Sequence, residues 1–138
     1  MTKRLLIIFF LLFFFVSHTS AASKVEIFHI NKGKVIKEVP LSDGVQHNVE
    51  TILEGITDIY REFEPIPKEG FMIKVPLDPA INVKNDWFHS LVSEVIVIFP
   101  EYENPHIMVF DDENNPFFFT FKASVDDMLH ELEIKPTK

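Results

Sequence analysis

The clearest helical pattern of apolar and polar positions lies between residues 45 and 60. Its apolar residues recur every three or four positions and fall within an arc of about 120°: Val45, Val49, Ile52, Leu53, Ile56, Ile59 and Tyr60. Ser42 or Asp43 can cap the start of this helix through a side-chain oxygen. Gly55 lies inside it at a cost of about 1 kcal/mol relative to alanine. The pattern predicts one amphipathic helix over residues 45–60.

Two β-rich runs precede this helix, at residues 24–30 and 34–39. Asn31 and Gly33 stand between them, and both residue types accept the positive φ angles that tight turns require. The spacing predicts an N-terminal β-hairpin.

Three apolar runs of strand length follow in the second half of the chain, at residues 95–99, 106–110 and 117–121. Six-residue connectors rich in Asn, Asp, Glu and Pro separate them, which is the composition of turns. Strands joined by such short connections pair antiparallel. This region therefore predicts a C-terminal meander.

The segment between the helix and the meander is rich in proline, with Pro65, Pro67, Pro76 and Pro79. Residues 71–75 can form a strand, which proline confines to a sheet edge or to short pieces, and residues 78–86 indicate a loop. Residues 125–132 predict a short C-terminal helix. The fold class expected is α+β, an antiparallel sheet of about five to seven strands packed against one amphipathic helix, plus the short helix.

The N-terminus has the order of a secretory signal. Lys3 and Arg4 precede an apolar run over residues 5–16, and small residues follow up to Ala22. The run covers roughly 18 Å as a helix, less than the ~30 Å hydrocarbon core of a membrane, so cleavage is favoured over a retained anchor. We expect residues 1–22 to be a cleavable signal peptide and residues 23–138 to form one small domain.

Charge and cysteine content narrow the class of protein. The chain has 21 acidic and 13 basic residues, and removing the predicted signal takes the formal net charge from −8 to −10. Such acidity argues against binding nucleic acid or an anionic membrane surface. The absence of cysteine excludes disulfides and a lipid anchor, and it fits a bacterial exported protein better than a secreted animal domain.

Both faces of the predicted meander are apolar, whereas a half-exposed strand should alternate apolar and polar residues. One face can pack on the long helix. The other is closed either by loops, including Trp87 and the proline-rich segment around Phe63, Ile66 and Phe71, or stays partly open as a contact for a partner or a second copy. We expect this face to be closed, because monomeric proteins rarely leave large apolar patches exposed.

Candidate chemistry is sparse. The helix places His47, Glu50 and Glu54 on one polar face, and residues 111–115 are dense in oxygen ligands, but each pattern is more typical of a solvated surface or a hairpin loop. The sequence has no Gly-x-Ser-x-Gly, Ser-x-x-Lys or His-Glu-x-x-His motif. We therefore predict no catalytic, metal-binding or cofactor-binding residues, and no cofactor.

These features predict an exported, non-enzymatic binding module, a monomer or weak homodimer, that contacts a protein, a peptide or a component of the cell envelope. The alternative is a small secreted hydrolase or accessory enzyme that uses carboxylates or a histidine, since such groups need only meet in space. The candidate partner-contacting residues are Trp87, Tyr102 and Phe118, aromatic side chains expected near turns or on the less covered sheet face.

Overall fold

Seven β-strands and two helices follow one another in the computed structural model, which describes residues 22–135. Their bounds are β1 Lys24–His29, β2 Lys34–Pro40, α1 Asp43–Glu54, β3 Ile56–Ile59, β4 Gly70–Lys84, β5 His89–Pro100, β6 His106–Phe110, β7 Pro116–Phe121 and α2 Asp126–Glu131. The predicted signal peptide, apart from Ala22, lies outside the described residues.

All seven strands join one antiparallel sheet in the order β2-β1-β4-β5-β6-β7-β3. The predicted α+β class is confirmed, and so are the N-terminal hairpin β1–β2 and the meander β5–β6–β7. Gly33 turns the hairpin with a φ of 64°, a conformation that glycine adopts without steric cost.

The long helix is shorter than its apolar period predicts, and the expectation that it continues to Tyr60 is wrong. Helix α1 ends at Glu54, and the Gly55 N–H donates to Thr51 O at 3.0 Å. Residues 56–59 instead form strand β3 at the sheet edge, paired with β7. Glycine weakens the helix at this point, and the β-branched residues after it gain a ladder partner that a helix could not provide.

The prediction of a loop at residues 78–86 is wrong for residues 78–84, because β4 runs for 15 residues through two prolines, and only residues 85 and 86 of that range lie in a loop. Strand β1 pairs with β4 only as far as Lys74. Pro76 and Pro79 therefore lie where β4 has a neighbour on one side only, and the register with β5 breaks between Pro76 and Ile81. Because β1 does not pair with β4 at these positions, the missing N–H of each proline removes no hydrogen bond to β1.

The first face of the sheet, covered by α1 and α2, carries the core. Fully buried side chains on this face come from five neighbouring strands, among them Val25, Ile27, Ile73, Val75, Val95, Val97, Ile107, Val109 and Phe119. Ser42 caps α1 by accepting a hydrogen bond from the Val45 N–H at 3.1 Å. Gln46 ties the helix to the β4 irregularity, since its amide donates to Pro79 O at 2.9 Å and accepts from the Asp78 N–H at 3.2 Å.

The second face is closed at one end and half-buried elsewhere. Ile98 and His106 are buried there, whereas its other apolar side chains keep intermediate exposure: Phe28, Met72, Ile96, Met108, Phe110 and Phe118. Of the residues expected to cover this face, Phe71 packs on the first face against Phe99, Phe63 is 97 % exposed and Trp87 is 40 % exposed. The expectation that Trp87 and these side chains close the second face is therefore wrong over much of its area.

Candidate partner-binding surface

The three aromatic residues singled out from the sequence do not form one patch. Trp87 lies in the loop between β4 and β5, and Tyr102 lies in the loop between β5 and β6. These loops are at opposite ends of β5, whose 12 residues span roughly 40 Å when extended. Phe118 is half-buried on the second face, with its ring centroid 6.4 Å from that of His106. The structure thus places Tyr102 and Phe118 around one histidine and Trp87 elsewhere.

His106 is the centre of the closed end of the second face. Its side chain is 1 % exposed, and its Nε2 lies 2.6 Å from the carbonyl oxygen of Pro65. A carbonyl only accepts, so Nε2 carries the hydrogen and Nδ1 is left as an acceptor. Nδ1 is buried and has no hydrogen-bond partner within residues 22–135. Burial lowers the pKa of His106, because the charged form loses its hydration.

Tyr60 holds the chain against this histidine. Its ring stacks on His106 with centroids 3.9 Å apart and planes 12° apart. The Tyr60 N–H donates to Phe118 O at 2.9 Å, and its hydroxyl donates to a Glu103 carboxylate oxygen at 3.1 Å. Burial and the neighbouring Glu103 raise the pKa of Tyr60 to about 12. The hydroxyl is therefore a neutral donor at any ordinary pH.

Two loops meet around this pair, residues 60–69 and residues 101–105. The Glu101 N–H donates to Glu69 O at 3.3 Å, which links them directly. A shallow hollow of about 700 Å³ is lined by Tyr60, Tyr102 and His106 among others, and a neighbouring one of about 340 Å³ shares Tyr102. Tyr102 therefore stands between two hollows.

We call this region the aromatic-acidic surface. It comprises exposed or part-exposed apolar side chains and five exposed carboxylates: Tyr60, Phe63, Ile66, Tyr102, Glu62, Glu64, Glu69, Glu101 and Glu103. Phe63 is 97 % exposed and Tyr102 is 85 % exposed. The charges of Glu101 and Glu69 raise the pKa of Tyr102, which indicates a negative potential at that ring.

The basic residues of these loops already have acidic neighbours. Arg61 Nη2 lies 2.9 Å from Asp58 Oδ1, and Lys68 Nζ lies 4.0 Å from Glu64 Oε1. Neither cation neutralises the carboxylates that line the larger hollow with Tyr60 and Tyr102, namely Glu62, Glu101 and Glu103. The surface keeps an excess of negative charge.

The two groups of side chains that the sequence offered as candidate metal ligands make other contacts in the structure. His47 and Glu50 lie 3.8 Å apart on the outer side of α1. In the loop of residues 111–115, Asp111 Oδ1 accepts hydrogen bonds from the N–H groups of Glu113 and Asn115 at 2.9 and 2.8 Å, as in an ordinary Asx turn. Within residues 22–135, no three His, Cys, Asp or Glu side chains lie close enough together to hold a metal ion.

A more apolar hollow of about 370 Å³ lies at the same end of the sheet on the first face. Ile27, Ile36 and Phe71 line it, and Lys135, the last residue described, is at its rim. Because the chain continues past this rim, the hollow has no defined outer boundary within the described residues, and we assign it no ligand.

Of the residues selected from the sequence, Tyr102 lies in this surface and Phe118 lies beside His106 on the second face, whereas Tyr60, Phe63 and His106 were not selected. The Tyr60–His106 contact joins residues that are far apart in sequence, and no local pattern encodes it. A signal for Phe63 existed: in residues 61–64 charged side chains stand on both sides of the one aromatic residue, with no period of a buried helix. Such a charged stretch is typical of an exposed segment rather than of the end of a helix.

Comparisons with known protein families, with curated proteins and with solved structures found no match to this chain. Within residues 22–135, no helix is long and apolar enough to cross a membrane.

Proposed function

We propose that this protein is an exported, non-enzymatic binding module that contacts its partner through the aromatic-acidic surface. The partner is a protein, a peptide or a component of the cell envelope, met outside the cytoplasm after the signal peptide is removed. The observation that carries the proposal is the exposure of Phe63 and Tyr102, 97 % and 85 %, which are the most exposed large hydrophobic side chains within residues 22–135. Exposed aromatic clusters with polar rims are typical of interaction surfaces.

The contacts that hold this surface in place support a role in binding. The loop of residues 60–69 is fixed by the His106–Pro65 hydrogen bond and by the stacking of Tyr60 on His106. The β5–β6 loop is fixed to it through Glu101 and Glu103. A contact surface held in place before binding loses less conformational entropy when a partner arrives.

The alternative proposal, a small hydrolase that uses carboxylate and histidine chemistry, has weaker support. A general base must come within about 3 Å of the proton that it removes. His106, the histidine beside Glu103, is 1 % exposed, and its Nε2 is engaged with Pro65 O. A substrate could reach this ring only if the covering segment moved away.

Site-specific photo-crosslinking in the producing cells tests the binding proposal. A benzophenone amino acid would replace Phe63, Tyr102 or Trp87, one position at a time, in the full chain with its signal. We expect positions 63 and 102 to crosslink the same partner, whereas position 87, the matched aromatic at the far end of β5, gives no such adduct. Adducts at position 87 alone, or at none of the three positions, would overturn the proposal.

The same experiment reports on export. Mass spectrometry of the protein recovered outside the cytoplasm should find an N-terminus at Ala22 or Ser23, as cleavage after Ala21 or Ala22 predicts. Recovery of a chain that still begins at Met1 would contradict the cleavable signal and favour the retained anchor.

A further inference from the structure

The charge of the aromatic-acidic surface restricts the chemistry of its partner. Its loops hold five exposed carboxylates and two basic side chains, Arg61 and Lys68. Arg61 Nη2 lies 2.9 Å from Asp58 Oδ1, outside the surface, and Lys68 Nζ lies 4.0 Å from Glu64, which is one of the five, so the other four carboxylates keep their charge without a basic partner in these loops. An anionic partner would meet repulsion here, and a neutral one would have to desolvate carboxylates without compensation.

The exposed rings add a second, independent restriction. Charge alone is enough for solubility, and it gives no reason to leave Phe63 97 % exposed and Tyr102 85 % exposed beside those carboxylates. A ring face next to carboxylates attracts a cation through its quadrupole. Guanidinium groups use this contact most often, because they stack flat on aromatic rings and are weakly hydrated.

The hydrogen-bonding groups that line the larger hollow favour a ligand that donates hydrogen bonds. The Tyr60 hydroxyl already donates to Glu103. The carboxylates of Glu62, Glu101 and Glu103 accept only, and His106, whose buried Nδ1 has no donor within residues 22–135, lies in the same wall. A wall of acceptors fits a ligand that only donates, such as a guanidinium with its five N–H groups.

We infer that the partner of the aromatic-acidic surface is cationic, an arginine-rich peptide segment of another extracytoplasmic protein. This inference rests on the proposed binding function and names its partner class. Arginine side chains would place their guanidinium groups on the faces of Phe63 and Tyr102 and pair with Glu62, Glu101 and Glu103.

Fluorescence anisotropy of a labelled hexa-arginine peptide with the mature full-length protein tests the inference, with a hexa-glutamate peptide as the probe of opposite charge. E62Q/E101Q/E103Q removes three charges from the surface. The matched control E54Q/E113Q/D127N removes three exposed charges elsewhere. We expect about a tenfold rise in the Kd of hexa-arginine for the first variant and less than about twofold for the control, as three exposed ion pairs suggest.

A second variant, F63S/Y102S, keeps every carboxylate and removes the rings. We expect it to weaken hexa-arginine binding about fivefold, since each exposed cation–π contact contributes a factor of about two to five. Equal losses for the two charge variants, or no effect of F63S/Y102S, would mean that net charge alone attracts the peptide and would overturn the inference.

The crosslinking and peptide experiments together distinguish failure of this inference from failure of the function on which it rests. Crosslinks at positions 63 and 102 without hexa-arginine binding, or with preferred binding of hexa-glutamate, would overturn the cationic partner and leave the binding surface intact. A dimer in light scattering that E62Q/E101Q/E103Q abolishes would show that a second copy occupies the surface, and would also overturn it. Failure of both crosslinking and peptide binding would overturn the inference and the proposed function together.

Discussion

Both faces of the sheet carry apolar strand residues, on the second face together with the Lys74–Glu26 ion pair, and the two faces are closed in different ways. On the first face, two helices cover the valines and isoleucines of the central strands, and Ile73, Val97 and Ile107 are fully buried. On the second face, a proline-rich loop covers only the end around Ile98 and His106, and Ile96 stays half-buried. Apolar strand residues alone therefore do not decide whether a face becomes core. The covering element decides it.

The difference also separates stability from recognition. The first face is closed mainly by apolar packing, with a few polar contacts between helices and sheet, such as Gln46 with the backbone of Asp78 and Pro79 and Lys37 Nζ with Leu132 O. The second face is held by a histidine, a tyrosine and a backbone carbonyl, and it leads directly into exposed aromatic side chains. We expect mutations on the first face to act on the free energy of unfolding, and mutations at the end of the second face to act on binding.

Three isoleucine truncations test this comparison with the largest expected effect. Ile107→Ala, on the first face, should lower the free energy of unfolding by about 3 kcal/mol, because a fully buried side chain leaves a cavity. Ile98→Ala, buried under the loop, should cost less, and Ile96→Ala should cost about 1 kcal/mol. Denaturant unfolding of the three variants measures the order. An Ile96→Ala variant as unstable as Ile107→Ala would show that the second face is core after all.

Gln46→Leu tests whether the helix is tied to the sheet by more than apolar contact. The substitution leaves the Asp78 N–H and the Pro79 carbonyl without their partner, at a cost of about 1–3 kcal/mol. His47→Leu is the control on the exposed side of the same helix and should change stability by less than about 0.5 kcal/mol. Equal effects of the two substitutions in urea unfolding would mean that the Gln46 hydrogen bonds contribute nothing net.

His106 is expected to make the stability of the protein depend on pH through the second face. Its pKa in the folded protein is lowered below the ordinary 6.5 by burial. As the pH falls below about 6.5, the unfolded chain binds a proton that the folded chain refuses, so the stability present above that pH is progressively lost. Unfolding midpoints measured between pH 7.5 and pH 5 should show this decline.

His106→Phe should flatten that part of the pH profile, because phenylalanine keeps a ring against Tyr60 and does not titrate. At pH 7.5 the variant should lose about 1 kcal/mol, the value of the hydrogen bond to Pro65 O. His130→Phe, at an exposed histidine of α2, is the control. An unchanged slope in His106→Phe would assign the acid sensitivity to other groups.

The smallest effects on stability are expected where the effect on binding should be largest. Phe63→Ser and Tyr102→Ser remove exposed side chains and should leave the free energy of unfolding within about 0.5 kcal/mol of the parent. Tyr60→Ser, by contrast, breaks the stacking on His106 and should be clearly destabilising. Thermal unfolding of the three variants checks this. Destabilisation by Phe63→Ser or Tyr102→Ser would mean that these rings serve packing rather than recognition.

The candidate surface was only partly predictable. Tyr102 and Phe118 could be selected because aromatic residues near turns or on an uncovered face stand out in the sequence. Trp87 met the same criterion and lies at the opposite end of β5. Tyr60 and His106 could not be selected, because the antiparallel pairing of β3, β7 and β6 brings them together, and local patterns do not determine strand order.

The sequence by itself determined the α+β class, the hairpin turned at Gly33, the meander and the buried stripe of α1. Each depends on a local period or on the backbone freedom of one residue. The tertiary structure decided where α1 stops, how β4 passes through two prolines and which apolar residues stay exposed. Those outcomes depend on partners distant in the chain: β7 offers hydrogen bonds to residues 56–59, the pairing of β1 with β4 stops at Lys74, and His106 binds the loop at Pro65. A local pattern can favour a helix or a strand. Where the two have similar local free energies, long-range contacts determine which one forms.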